Sequence, residues 1–370
     1  MELRAYLLFF LMILLGMFFK RSKIVSFLLL IYIWTLIGLN TYTPDYSEYE
    51  RIYNNAGNIV TNTEIGFIYV CMLFRNLGFS YQEFRMIWGM IYIILAANFT
   101  TKNTKNPNYV YSLLLISPVL MDASGIRAGV AYMLAMNFSL LLRWPRKRNS
   151  IFFVLGIILC STIHGSAIFY VIFLLVDKAL NTRKILFIGI LISVITLFCY
   201  TPIFRWGMNF IYDLTGLYKI SKWVLSSSAI RPTLVGFLSV ALFLVALVYL
   251  SFKEDKYICH KNAEVIISEN VEQILKNACI MMLFLLPVLT IVLEARRLFN
   301  GALILYACMS ANCLLERNGT KFVLHISLES MKYIILHIAL ITGVLVMYMY
   351  TYQSYDVMGT LYNNMLFGGI

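Results

Sequence analysis

At 370 residues the chain has the length of two soluble domains, yet 61% of it is hydrophobic and only 13% is charged, against roughly 45–50% and about 25% in a soluble domain. So much apolar surface cannot be hidden behind so few charges, which excludes a soluble enzyme, a disordered chain and a disulfide scaffold. The net charge of +12 invites a nucleic-acid reading, but the basic residues cluster in short turns between apolar runs, as the positive-inside rule requires.

The apolar runs are continuous and do not alternate with period two, which argues against an outer-membrane barrel. The expected fold class is an all-α polytopic membrane protein, one integral domain over 1–370 with about 12 transmembrane segments, some short or re-entrant. In chain order, spans are expected at 5–19, 24–39, 84–99, 125–142, 185–200, 233–252, 278–293, 298–315 and 333–350. The first ends in Lys20-Arg21-Ser22-Lys23 without a small-residue cleavage site, so a retained helix is expected. Segment 64–79 is amphipathic, carries Arg75 and is expected at the outer interface. A shorter run covers 109–121.

Segment 151–176 has basic clusters at both ends: Arg143, Arg146, Lys147 and Arg148 before it, Lys178, Arg183 and Lys184 after it. Both ends are therefore expected in the cytoplasm, with 151–163 and 165–176 as the α-helical arms of a hairpin turning at His164-Gly165-Ser166. Each arm would rise only about 20 Å. Both termini then lie outside, with outer loops at 40–63 and 201–232 and cytoplasmic loops at 253–277 and 316–332. This places 19 of the 30 basic residues in cytoplasmic segments and 8 in outer ones. A single span over 151–176 would invert every later loop. Seven cysteines form no CxxC pair and four histidines lack ligand spacing, so neither a disulfide nor a metal is expected.

Five outer-side places carry polar residues where they are costly. In Thr43-Pro44-Asp45-Tyr46-Ser47-Glu48-Tyr49, Pro44 can start a helix that sets Tyr46, Tyr49 and Tyr53 on one face. That face suits sugar stacking or an interfacial tyrosine belt, and Asp45 can meet a hydroxyl or cap the helix. Glu64-Ile65-Gly66-Phe67 opens the interfacial segment, where Glu64 either caps a helix or faces a substrate. At Ser124-Gly125-Ile126-Arg127, helix amides and a guanidinium suit a diphosphate, or Arg127 snorkels and pairs with Asp122. His164 at the hairpin turn serves as acid, base or donor, or only bonds the turn. Arg296 and Arg297 lie on the side disfavoured for cations, so a diphosphate or a lipid headgroup should compensate them. The loop at 201–232, rich in Trp and Tyr, is a candidate platform along the membrane surface.

Asp45-Tyr46-Ser47-Glu48-Tyr49, Glu64-Ile65-Gly66-Phe67, Ile126-Arg127, His164-Gly165-Ser166 and Arg296-Arg297-Leu298-Phe299, in this order, resemble the EpsG-type branch of the Wzy polysaccharide polymerases. The sequence departs from that pattern at Thr43-Pro44, where a Gly-rich lead-in is usual, and at Ala128, where Gln is usual. The resemblance implies a GT-C-like glycosyltransferase of the bacterial inner membrane. Such an enzyme joins polyprenyl-diphosphate-linked oligosaccharide repeat units on the outer face, without cofactor or metal. Asp45, Arg127, His164 and Arg296 are then the candidate catalytic residues, and Tyr46, Tyr49, Glu64 and Arg297 the candidate substrate-binding ones. Expected partners are the lipid-linked oligosaccharides, the bilayer, and a flippase and chain-length regulator of the same pathway. The alternatives are a lipid-linked oligosaccharide flippase, a related glycan ligase or a membrane acyltransferase. The one-sided distribution of the polar residues, with no visible half-repeat, favours an enzyme over a flippase.

Overall fold

The structure is a computed structural model that describes residues 2–57, 63–143, 147–176, 201–216, 297–313 and 356–363, with isolated positions at 191–192, 194–195, 198, 278, 335, 339 and 365. The expected spans at 185–200, 233–252, 278–293 and 333–350 lie wholly or largely outside the described residues, as do the loops at 253–277 and 316–332 and Arg296.

Every regular element among the described residues is helical. α1 (Glu2–Phe18) and α2 (Lys23–Gly38) fill the first two apolar runs, and the Ser22 hydroxyl caps α2 by accepting from the Val25 amide at 3.4 Å. α3 (Tyr46–Asn54) lies in the first outer loop and α4 (Ile65–Asn76) fills the amphipathic segment. α5 (Tyr81–Asn103) opens with a capping box in which Ser80 and Glu83 satisfy each other's amides. By length and composition it is the one helix among the described residues long and apolar enough to cross a membrane. The run at 109–121 divides into α6 (Pro107–Ile116) and α7 (Val119–Ser124), because Pro118 has no amide to continue the ladder. α8 (Ile126–Ser139) follows, then a short 3₁₀ turn at Leu140–Arg143.

α9 (Lys147–Ile163) stops at His164, and Gly165–Val176 forms a second arm packed back against α9 and α8. The sequence predicts an α-helical arm; the structure winds it as a 3₁₀ helix. At about 2.0 Å per residue that winding carries its 12 residues about 24 Å. The 17 residues of α9 rise about 26 Å. Both arms are thus longer than the 20 Å expected of them. α10 (Pro202–Thr215) is amphipathic, with Ile203, Trp206, Phe210 and Leu214 exposed at helical spacing. α11 (Arg297–Cys313) and α12 (Asp356–Tyr362) complete the described helices.

The helices pack chiefly as α2 on α5, α1 on α6, α5 on α8, α8 on α9 and α11 on α6. At the α2–α5 crossing two glycines meet: a Cβ on Gly89 would stand 3.2 Å from Gly38 Cα, so a larger residue would push the two helices apart. The outward faces of α1, α2 and α9 are apolar, with Leu7, Phe10, Phe27, Ile151 and Leu155 exposed. A water-facing surface would not present them so densely. Cys71, Cys160 and Cys308 are buried free thiols.

One end of the bundle gathers the basic turns. Arg21 Nε donates to Asn106 Oδ1 at 3.0 Å, and Asn106 Nδ2 to the Ala311 carbonyl at 2.9 Å. Asn312 Nδ2 donates to the Asn103 carbonyl at 3.0 Å, and Arg143 to the Lys102 carbonyl at 3.0 Å. These side chains satisfy carbonyls where helices end, which a membrane interior leaves no water to do. Residues 20–23, 100–108, 143 and 311–312 therefore share one end. The other end carries Asp45, Glu64, Arg127 and His164.

Candidate functional site

At that second end the chain crosses from α7 to α8 at Gly125, α4 begins, and the hairpin turns. The Glu64 carboxylate ties the three together. Arg127 Nη1 donates to its Oε2 at 2.6 Å, and the Gly165 amide donates to its Oε1 at 2.8 Å. The two side chains are each 15% exposed, so the pair lies at the edge of the core and remains reachable. Neither expected local role survives. Glu64 makes no capping bond to α4, and Asp122, the partner anticipated for Arg127, accepts instead from the Tyr92 hydroxyl at 2.8 Å.

Burial raises the pKa of the Glu64 carboxyl, but the charge of Arg127 and then the bond from Gly165 outweigh it. His164 acts in the same direction, and the group lies below its ordinary carboxylate value. Glu64 is therefore ionised at neutral pH.

Each residue of Glu64-Ile65-Gly66-Phe67 has a distinct task except Ile65, which faces outward at 61% exposure. Gly66 lets α4 press onto α9: a Cβ there would fall 2.8 Å from both the backbone oxygen and the Cβ of Thr162. Phe67 is fully buried and its ring lies 5.5 Å from the Arg127 guanidinium, with Tyr49 5.8 Å away. The two rings hold the guanidinium by cation–π attraction.

The His164-Gly165-Ser166 turn is equally specific. The His164 ring meets the edge of Tyr132 at 5.6 Å, and the Ser166 and Tyr132 hydroxyls share a hydrogen bond of 2.7 Å. Tyr132 also packs edge-on against Tyr170 of the second arm, whose hydroxyl donates to the Leu298 carbonyl in the first turn of α11. The turn, Arg127 and the start of α11 are thereby joined, and Arg297 belongs to that first turn. Arg296 lies outside the described residues.

The tyrosine face on α3 is not open. Tyr49 and Tyr53 are buried, packed against Phe67 and stacked on Phe84 respectively. Hydrophobic burial against α4 and α5 takes the area a sugar would have stacked on. Tyr46 is half-buried and its hydroxyl donates to Gln82 Oε1 at 3.2 Å. Asp45 stands at the N-cap of α3 without a capping bond from its side chain. It is half-buried, about 6 Å along the helix axis from Tyr49.

Sequence reading passed over Arg85, which is fully buried. Its Nε donates to the Ile37 carbonyl at 3.0 Å and Nη2 to the Ala123 carbonyl at 2.6 Å, while the Tyr46 ring lies 5.3 Å from its guanidinium. It thus serves the C-terminal ends of α2 and α7, where the helix dipoles favour a cation. The available signal was a lone charge inside the apolar run at 84–99. Tyr132 and Tyr170 gave no signal, being two tyrosines among 25.

The site thus sets a fixed guanidinium, an ionised carboxylate, an imidazole and the Gly165 backbone amide at one end of the bundle. Such a group can bind an anion and move a proton. No curated relative and no solved structure matches the chain. The family model described as "EpsG family" matches residues 23–357, and the chain belongs to this family of membrane polysaccharide polymerases.

Proposed function

We propose that the protein is a glycosyltransferase that joins polyprenyl-diphosphate-linked oligosaccharide repeat units into surface polysaccharide on the outer face of the bacterial inner membrane. The observation that carries this reading is the union of Arg127, Glu64 and the His164–Ser166 turn in one site at the end opposite the basic turns. The fold would be GT-C-like with about 12 crossings, and a flippase and a chain-length regulator would act beside it.

An acceptor hydroxyl attacks the anomeric carbon of the growing chain. The new C–O bond forms as the bond to the carrier diphosphate breaks, and the electron pair leaves with the diphosphate. Charge builds on that leaving group, so fixed cations stabilise the transition state more than the ground state. Arg127, held by two rings, does this work together with Arg296 or Arg297. His164 hydrogen-bonds the diphosphate, and Asp45 takes the proton from the acceptor hydroxyl. Tyr46, the half-buried tyrosine of α3, borders the acceptor side.

Arg127→Ala and Arg296→Ala are expected to abolish polymer while leaving membrane insertion and abundance normal. Normal chain lengths in both variants would overturn the reading. Supplying lipid-linked repeat units to one leaflet of a proteoliposome separates polymerase from flippase. Polymer ladders mark the first, and equilibration across the leaflets without chain growth marks the second.

A further inference from the structure

The contacts of Glu64 have the form of a ligand's rather than a helix cap's. Its two oxygens are divided between two donors from distant parts of the chain, Arg127 Nη1 and the Gly165 amide. A guanidinium and an amide at the first residue of a helical arm are the donors that phosphoryl groups take.

Both donors are fixed without help from Glu64. The rings of Phe67 and Tyr49 hold the guanidinium. The Gly165 amide is aimed by the turn, in which the His164 amide donates to the Cys160 carbonyl at 2.9 Å and the Ala167 amide to the His164 carbonyl at 2.9 Å. Gly165 opens the second arm, so its own amide has no acceptor within that arm. The carboxylate, in contrast, does not cap α4: Glu64 has extended backbone (φ −63°, ψ 138°), and its side chain makes no capping bond. The carboxylate can leave while α4, the arginine and the amide stay.

The pair also leaves donor capacity unused. Arg127 Nε is buried and has no hydrogen-bond partner among the described residues. One carboxylate cannot satisfy both edges of a guanidinium and a separate amide, whereas a diphosphate brings more oxygens and more charge.

From this geometry we infer that Arg127 and the Gly165 amide form the diphosphate-binding site of the lipid carrier, that Glu64 occupies it as an internal stand-in, and that the incoming diphosphate displaces Glu64. The identity of the ligand rests on the polymerase reading above; the displacement does not. A site closed by its own carboxylate binds a competing anion more weakly in proportion to the fraction left open, so an open fraction of about one-tenth weakens binding about tenfold. Glu64 is then a competitor for the donor's site.

The test uses the full chain in detergent micelles and farnesyl diphosphate as the probe, with affinity measured by calorimetry. Glu64→Gln is expected to bind about tenfold more tightly than wild type, and Glu64→Ala likewise, so that one misfolded variant does not decide the matter. Adding Arg127→Ala to either should remove the gain. If both Glu64 variants are monodisperse and bind no more tightly than wild type, the displacement is overturned, while Arg127-dependent binding by wild type leaves the polymerase reading standing. If no variant, wild type included, shows Arg127-dependent binding, the diphosphate reading itself falls and the inference with it.

Discussion

The Tyr170 hydroxyl donates to the Leu298 carbonyl, a bond between residues 128 positions apart that ties the second arm of the hairpin to the first turn of α11. Both residues are buried. Because Arg297 is the first residue of α11, this bond connects the start of that helix to the turn that carries His164.

Tyr170→Phe removes that bond while the ring remains to pack against Tyr132. It should cost about 1 kcal/mol of stability, the ordinary worth of one hydrogen bond. Polymer synthesis should fall further than abundance does, because the loosened element begins with Arg297. Quantitative blotting beside a polymer ladder measures both, and equal declines would mean the bond is only structural.

Gly66→Ala inserts a methyl group where Thr162 backbone and side chain already stand. Overpacking of this kind costs about 1–3 kcal/mol, and relief requires α4 to move off α9, carrying the Phe67 ring away from the Arg127 guanidinium. Loss of polymer is expected. Thr162→Ser should fail to rescue it, since the backbone oxygen of Thr162 is among the atoms met. Ile65→Ala, at an exposed neighbour, serves as the control and should behave as wild type.

Arg85 and Arg127 should separate in the same assay. Arg85 bonds two helix-end carbonyls from full burial, and Arg85→Ala should destabilise by about 3 kcal/mol or more. Arg85→Lys should not restore it, because one ammonium cannot reproduce the planar fork that reaches both Ile37 and Ala123. Abundance and polymer should fall together for Arg85, whereas Arg127→Ala should lose polymer alone. A stable, inactive Arg85→Ala would place Arg85 in the site itself.

The lowered pKa of Glu64 sets a direction for acid sensitivity. A carboxyl whose folded pKa is depressed contributes stability that is complete above its ordinary unfolded value. That contribution is lost as pH falls through the lowered folded value. The thermal midpoint in detergent should therefore hold from neutral pH to the ordinary carboxylate range and decline below it. Glu64→Gln should remove this part of the decline. An identical acid profile for the variant would show that Glu64 is not held by Arg127 and Gly165.

The sequence by itself determined the class of protein, the order of most helices in the described part, and the break at His164. These are local matters: hydrophobic runs, the basic turns between them, and a glycine after the histidine. It also marked Glu64, Arg127 and His164 as polar residues at a cost in an apolar chain. Their pairing was decided only by the tertiary structure. Arg127 had a carboxylate five positions away at Asp122, yet it pairs with Glu64, 63 positions away. Helix packing brings α4 to the start of α8 and turns Asp122 toward Tyr92. Tyr49 and Tyr53 share the face that the helical period assigns them, but α4 and α5 cover it. Arg85 was visible as a charge, while its carbonyl partners at Ile37 and Ala123 belong to helix ends that only packing brings together. A helix fixes which residues share its face. What that face meets depends on neighbours tens of residues away, because buried charges and open backbone groups take the partners that packing brings within reach.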